Sequence, residues 1–521
     1  MTGAIIQLVA KGIQDIFITN DPQITYFKIV YRRHTNFSME AIPQYFKHTP
    51  NFGNKYTCNI STNGDLMGKT HLVVVLPKIK QQINDDLGAF DPYLKFAWVK
   101  KIGYALIKNI ELEIGGQIIN KHYGDWLNIM DELFTPIEHR RAIDKMIGNY
   151  EDVYSYTASK DQFILYIPLQ FYFCRYQSSA LPLLCLHHSE VKINLEVSDF
   201  DRCYVQSPTS YIEMFDDIVP FEFGEYFEQN VAGKKAAGMF TNFDPSTRKM
   251  YYTQITRNKL KSLPIKTEGT PYTYSEILNK YPEYLIKSRT TDKFCTPNPG
   301  ATQKLYNVIK NSESYNIVEC FLLVNYIYLD IEERNKFVQT KHEYLVDELH
   351  LINTQLINAS NFLAHTDSIN PCKFMVWHVM QVYFADKNNN DYFNYTDDYL
   401  YLHKNGKYYQ NGKSLVFKEN IEFNGFERVG SRDYKYFNFL QPYQHFKNNP
   451  SEGINVYSFC LQPGELQPSG SCNMSYIGNT SINLNLSPII NDSNNGIFIG
   501  YALSYNILRI MDGLAGNVFI R

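Results

Sequence analysis

No run of about 18 or more apolar residues occurs in this 521-residue chain, which removes a membrane-spanning helix from its expected elements. The first residues lack a basic region followed by a long apolar stretch and a small-residue cleavage site, so no signal peptide is expected. Basic residues are not in excess: 50 Lys and Arg face 53 Asp and Glu, for a formal net charge of -3. A chain of that balance has no electrostatic footprint for direct nucleic-acid binding. The nine cysteines never form C-x-x-C and mostly sit in apolar runs. Buried thiols in a reducing compartment are expected from that pattern. Neither G-x-S-x-G nor H-x-H occurs, so the usual nucleophile elbow and the usual metal-binding β-sandwich signature are both missing.

What is abundant is aromatic. There are 41 Tyr and 34 Phe, residue types that favour strands and interfaces. The length exceeds what one ordinary core supports, so two domains are expected. Alternation of apolar and polar residues recurs along the chain. In IELEIGGQII, Ile110, Leu112 and Ile114 alternate with Glu111 and Glu113, and Gly115-Gly116 supplies a hairpin turn. In VKINLEV, Val191, Ile193, Leu195 and Val197 alternate with polar residues. Leu72 to Leu76 is a continuous apolar run between Gly68 and Pro77, as a buried strand would be. The second half offers CFLLVNYIYL, KFMVWHVMQVYF, SINLNLS and IFIGYALSYNILRI as further strands.

Helical spacing is confined to a few places. GDWLNIMDELF puts Trp126, Ile129, Met130 and Leu133 on one face. ERNKFVQTKHEYLVDELH is expected to be helical for at least part of its length. Near the start, Ile5, Leu8, Val9, Ile13 and Ile16 are spaced helically across a weakening Gly12. Asp21-Pro22 then predicts a second helix start, with Ile24, Phe27 and Tyr31 on one side. An internal echo, Tyr104–Leu112 against Cys320–Tyr328, suggests two copies of one β unit. Two stretches break the pattern, Ala236–Gln303 and Asp386–Asn420, and read as long surface insertions.

Each apparent chemical motif lacks a required position. Asn63–Thr70 (NGDLMGKT) resembles a phosphate loop, but Gly64 to Gly68 is one residue short and a strand follows. HEYLVDELH has His342, Glu343 and His350, but Val346 stands where a zinc helix needs its second histidine, leaving an exposed or interface helix as the expectation. Adjacent His187 and His188 would point to opposite faces of a strand. Asp330, Glu332 and Glu333 read as the acidic start of a helix. The N-x-[ST] sequons, Asn36, Asn59, Asn358, Asn394, Asn473, Asn479, Asn485 and Asn491, are read as chance in an Asn-rich chain. No catalytic, cofactor or metal residue is assigned, and no cofactor is expected.

Several blocks together resemble one family. QLVAKGIQDIFITNDPQITYFKIVYRRHTNF, ELEIGGQIINKHYGDWLNIMDEL, IPLQFYFCRYQSSALPLLCLHHSEVKINLEV, YIYLDIEERNKFVQTKHEYLVDE and YSFCLQPGELQPSGSCNMS are similar to segments of the major capsid proteins of nucleocytoplasmic large DNA viruses, in family order. The ending YNILRIMDGLAGNVFIR fits as well. The resemblance implies an all-β double jelly roll, two antiparallel β-sandwiches in tandem with short helices and long loop insertions. It implies an arm over residues 1–33, a first jelly roll over 34–215, and a second over 216–521 carrying the insertions near 236–303 and 386–420. It further implies a structural protein and not an enzyme, found in the virion capsid and assembled in the host cytoplasm. Its homotrimers would form pseudo-hexagonal capsomers of an icosahedral shell, with minor capsid proteins as partners. The arm residues Ile5, Leu8, Ile13, Ile16, Ile24 and Phe27 become candidates for contact with neighbouring capsomers. Gln467, Pro468, Ser469 and Gly470 become a structural turn, with Pro468 presetting φ and Gly470 in a conformation open to glycine. The alternative is a carbohydrate-binding β-sandwich that attaches the virion to surface glycans through the Tyr- and Asn-rich insertions.

Overall fold

In the computed structural model, the described residues are 3–80, 83–84, 89–90, 92–267, 270–306, 315–366, 369–386, 389–399, 401–402, 408–409 and 412–519. Sixteen strands build two sandwiches. The first uses β1 (Phe37–Tyr45), β2 (Lys55–Asn59), β3 (Leu66–Leu76), β4 (Ile107–Ile114), β5 (Gln117–Tyr123), β6 (Phe163–Pro168), β7 (Val191–Val197) and β8 (Glu319–Leu329). The second uses β9 (His342–Ile357), β10 (Asn361–Thr366), β11 (Pro371–Gln381), β12 (Val416–Phe423), β13 (Phe426–Asp433), β14 (Ile454–Ser458), β15 (Thr480–Leu486) and β16 (Gly496–Met511).

The first sandwich pairs its strands β1-β8-β3-β6 and β2-β7-β4-β5. The second pairs them β9-β16-β11-β14 and β10-β15-β12-β13. Adding eight to each number of the first order gives the second. Two antiparallel four-stranded sheets with this connectivity are a jelly roll, and the chain holds two. The alternation seen in sequence sets the faces. Ile110, Leu112 and Ile114 of β4 meet Leu195, Ile193 and Val191 of β7 in register, and these six are buried in one core. Gly115 and Gly116, at φ +58° and +85°, close the β4–β5 hairpin in the left-handed region that glycine favours.

Several sequence expectations need correction. The boundary at 215/216 splits the first sandwich, because β8 lies beyond it yet pairs along its length between β1 and β3. The internal echo joins β4 and β8, which occupy opposite sheets of the same sandwich and so are not copies. HEYLVDELH is the start of strand β9, not a helix; the helix α4 (Ile331–Gln339) ends before it. Long-range pairing with β16 from His342 to Ile357 overrides the helical spacing there. His187 and His188 form a turn, not a strand.

The stretch 236–303 is no mere loop. Residues 210–305 build a seven-stranded sheet centred on Tyr226–Val231, Lys234–Asp244 and Lys249–Gln254. It has its own core of Ile212, Phe227, Phe240, Met250, Tyr252 and Ile286. This folded layer is inserted between β7 and β8. The second insertion, 386–420, lies partly outside the described residues, and its last five residues belong to β12.

Candidate assembly surfaces

The arm comes first in the chain. It has two short helices, α1 (Gly3–Val9) and α2 (Ile13–Thr19), separated at Gly12 as the sequence suggests. No helix starts at Asp21-Pro22. Asp21 takes φ +47°, and the following segment runs on without a helix to β1. Isolated helices of that length are marginal in water. Ile5, Leu8, Ile13, Ile16 and Ile24 are exposed, and Phe27 is 98% exposed. The arm therefore displays an apolar row left exposed by the described residues of its own chain.

The Gln467–Gly470 turn lies on the connection from β14 to β15. Gly470 takes φ +131°, and a Cβ there would come within 3.0 Å of the Phe459 carbonyl oxygen. Ser469 ties the loop to its own base: its carbonyl accepts from the Leu461 amide, and its hydroxyl accepts from the Gln462 amide at 2.9 Å.

The two sandwiches are fastened together by the helix that periodicity locates and by polar residues that periodicity does not single out. Helix α3 (Gly124–Phe134), between β5 and β6, leaves the first sandwich and lies on the outward face of β9-β16-β11-β14. Trp126, Ile129, Met130 and Leu133 pack there against Phe374, Val376, Val456, Tyr501 and Leu503. At about 1.5–3 kcal/mol per buried large side chain, this seam contributes several kcal/mol.

Polar groups fix its register. Asp125, at the start of α3, accepts from Tyr395 Oη and Tyr501 Oη and lies 2.7 Å from His378 Nε2. Burial would raise the Asp125 carboxyl, but the imidazole of His378 and the two tyrosine hydroxyls outweigh it and hold it below the usual range. This group of four has the residue types of an acid–base site. It is enclosed between a helix and a sheet, where it pins one to the other. Glu132, farther along α3, meets Lys101 Nζ at 2.7 Å and accepts from the Ser451 amide of the second sandwich at 2.8 Å. Burial pushes its carboxyl up, but Lys101 and Ser451 bring it down to about 2.

A third fastening is ionic. Asp347 of β9 bonds Arg175 of the first sandwich at 2.7 Å and Lys373 of β11 at 3.0 Å. Lys373 is only 1% exposed, and burial lowers its pKa against the pull of Asp347. The sequence signal for these positions was faint: a charged Lys373 inside the apolar run of β11, and an aspartate inside HEYLVDELH.

The motifs set aside in sequence sit apart from one another. Gly64 and Gly68 lie at the entrance to β3, and the Lys69-Thr70 pair continues into that strand. His342, Glu343 and His350 are spread along β9. Asp330 caps α4 by accepting from the Ile331 amide at 2.8 Å. All nine cysteines are free thiols. A cavity of about 320 Å³ opens where the first sandwich, the inserted sheet and the 389–399 loop meet. Tyr154, Tyr156, Tyr226, Tyr392 and Tyr399 line it.

Comparison with known proteins places this architecture. The chain is 38% identical over 520 residues to the probable capsid protein 4 of Acanthamoeba polyphaga mimivirus, covering 100% of this chain and 99% of that one. The chain belongs to the major capsid proteins of large eukaryotic DNA viruses. Two sequence profiles of that family match it, the major capsid protein N-terminus over residues 25–229 and the large eukaryotic DNA virus major capsid protein over 333–516. The stretch between them contains most of the inserted sheet. The major capsid protein of Pyramimonas orientalis virus is 30% identical over 547 residues, with both chains fully covered. Among solved structures, the Faustovirus major capsid protein superposes with a TM-score of 0.66 at 11% identity, covering 96% of this chain and 94% of that one. The PBCV-1 virus capsid model superposes at 0.60 and 23% identity, covering 95% and 100%. These two show the shared double jelly-roll fold. The function that follows from family membership is structural: this is a capsid-building protein.

Proposed function

We propose that three copies of this capsid protein close into a capsomer with a nearly hexagonal outline, and that such capsomers tile the facets of an icosahedral shell. The observation that carries this reading is the rigid seam between two like sandwiches. A chain locked by α3, Asp125 and Asp347 presents two equivalent blocks in one fixed relation, so three chains supply six. The work is repeated surface matching, with no bond made or broken. The exposed apolar arm, residues 3–33, reaches neighbouring capsomers or minor capsid proteins, and the virion is assembled in the host cytoplasm. Negative-stain microscopy of the purified protein tests the main claim. Threefold particles with six lobes are expected, and isolated monomers at micromolar concentration would sink it. Deleting residues 3–30 should leave the capsomer intact and abolish assembly into shells; unimpaired shells would remove the arm's role.

One observation favours a second reading beside the first. The cavity at the three-way junction combines five tyrosines with Asn389 and Asn390, a combination suited to stacking on and hydrogen bonding a sugar. A glycan array probed with the purified capsomer tests it. Binding lost in Tyr392→Ala would place a surface glycan in this cavity, and a blank array would leave the shell role alone.

A further inference from the structure

Strand β11 begins with a bulge. Cys372 pairs with Ser504 of β16 on one side, and the register shifts before Phe374 meets Leu503. On its other side the strand has two successive partners. From Phe374 onward it pairs with β14. At Pro371 and Cys372 it pairs instead with a short strand, Cys472–Asn473, which returns from the loop carrying the Gln467–Gly470 turn. The register sets Cys372 directly opposite Cys472. Residues opposed in an antiparallel pair point to the same face, with Cα atoms about 4.5–5.5 Å apart. A disulfide needs about 4.4–6.8 Å. Both side chains meet the core of the second sandwich, Cys372 fully buried in it and Cys472 half-buried against it. A third thiol, Cys460, is buried nearby, but the strand register opposes it to neither.

The loop that ends at Cys472 lies across the seam. Tyr176 Oη of the first sandwich donates to the Gly464 carbonyl at 2.6 Å. Leu466 lines a small cavity together with Asp347, Lys373, Tyr172, Tyr176 and Tyr505. The loop thus borders the ionic fastening at Asp347, and its far end is tied to β11 through a strand of two residues.

We propose that Cys372 and Cys472 are a modification site, a thiol pair that closes into a disulfide under oxidation and staples the turn-bearing loop to β11 beside the seam. The oxidant is a small disulfide of the glutathione class. The Cys472 sulfur, the one that solvent reaches, attacks its S–S bond, releasing one glutathione thiol and leaving a mixed disulfide. The Cys372 sulfur then attacks Cys472, the mixed S–S bond breaks, and the second glutathione leaves as a thiol. The protein gives up two protons and two electrons, and the oxidant takes them up. Burial pushes both thiols up, outweighing the pull of Arg428 on Cys472, so closure is slow at neutral pH and quickens as pH rises. The closed ring spans residues 372 to 472, and a staple across so long a stretch restricts the unfolded chain strongly.

Mass spectrometry of the full chain tests the site. The protein, with its nine thiols reduced, is incubated folded with oxidised glutathione at mildly alkaline pH, blocked with N-ethylmaleimide and digested without reductant. The loss of two thiols and a peptide pair linking Cys372 to Cys472 are expected. The oxidised protein should unfold at a higher denaturant concentration than the reduced one. Cys372→Ser and Cys472→Ser should each lose that shift, and Cys460→Ser should keep it. A linkage to Cys460, a reaction that stops at the glutathione adduct of Cys472, or nine thiols retained until the chain unfolds would overturn the pair. A Cys372–Cys472 bond that leaves the midpoint unchanged would overturn the staple. The linkage is read on the wild-type chain, so the outcome does not depend on a serine variant folding.

Discussion

In the second sandwich the sheet β9-β16-β11-β14 has α3 over its outward face, and Tyr501 and Val376 beneath it are buried. In the first sandwich the matching sheet holds Met39, Tyr45, Ile164 and Tyr166 in the open. Strand order and apolar character are shared, yet one face is core and the other is only partly covered. What differs is how far the described chain covers each face: Val73 and Val75 of the first are buried, while Tyr45, Ile164 and Tyr166 beside them stay exposed. An apolar outward face on a sheet that already has a complete core on its other side points to a contact beyond the chain. The cores differ too. Strand β4 buries Ile110 and Leu112, whereas its counterpart β12 buries Ile421 and the carboxylate of Glu419. Trp377 Nε1 donates to Glu419 at 2.7 Å, and burial pushes the Glu419 carboxyl up to about 8.

The covered side should break most readily. Asp347→Ala leaves Lys373 and Arg175 facing each other in the seam without their shared carboxylate. It should cost about 3–5 kcal/mol, read as a fall in the denaturant midpoint. Trp126→Ala, which empties the centre of the α3 contact, belongs in the same range of about 3–5 kcal/mol.

Glu419→Gln sharpens the difference between the cores. A carboxyl whose folded pKa lies above its unfolded value stabilises the fold at low pH. That stability is lost as pH rises from about 4.5 toward 8. The glutamine variant should therefore match wild type near pH 4 and exceed it by roughly 3 kcal/mol at pH 7. Parallel unfolding curves across that range would show that the Glu419 carboxyl is not shifted by folding. Gly470→Val forces a β-branched residue to φ +131° and should cost about 1–3 kcal/mol, with a lower trimer yield. Normal yield would show that the turn does not need glycine. The smallest effect belongs to the open side. Tyr443→Ala should change the stability of the isolated chain by no more than about 0.5 kcal/mol, since the side chain touches solvent. The contrast with Trp126→Ala on α3 is the measure of the asymmetry.

Much of this could be read from the residues. Period-two alternation located β4 and β7, Gly115-Gly116 located the β4–β5 hairpin, and the apolar run at Leu72–Leu76 located the interior of β3. Helix α3 was legible because Trp126, Ile129, Met130 and Leu133 share a face. Where reading failed, long-range pairing had overruled local pattern. HEYLVDELH is spaced like a helix and becomes a strand because β16 pairs along all of it. Residues 236–303 look polar and loop-like, yet Ala236–Thr241 and Met250–Thr253 are buried in paired strands, because the pairing partners lie in the same inserted sheet. The seam was harder still. Asp125, Asp347, Lys373 and His378 are separated by up to 253 residues and acquire their roles only through contact.

The sequence by itself determined that this is an all-β chain without a membrane-spanning helix. Its family-like segments pointed to a capsid protein, because alternation, turns and short segments are local properties. Tertiary structure alone decided which strands belong together, since β8 returns from residue 319 to complete a sandwich begun at residue 37. It alone decided which of two apolar sheet faces lies under α3 and which leaves Tyr45, Ile164 and Tyr166 exposed. Burial belongs to neighbours in space, and no local pattern encodes whether a neighbour is there.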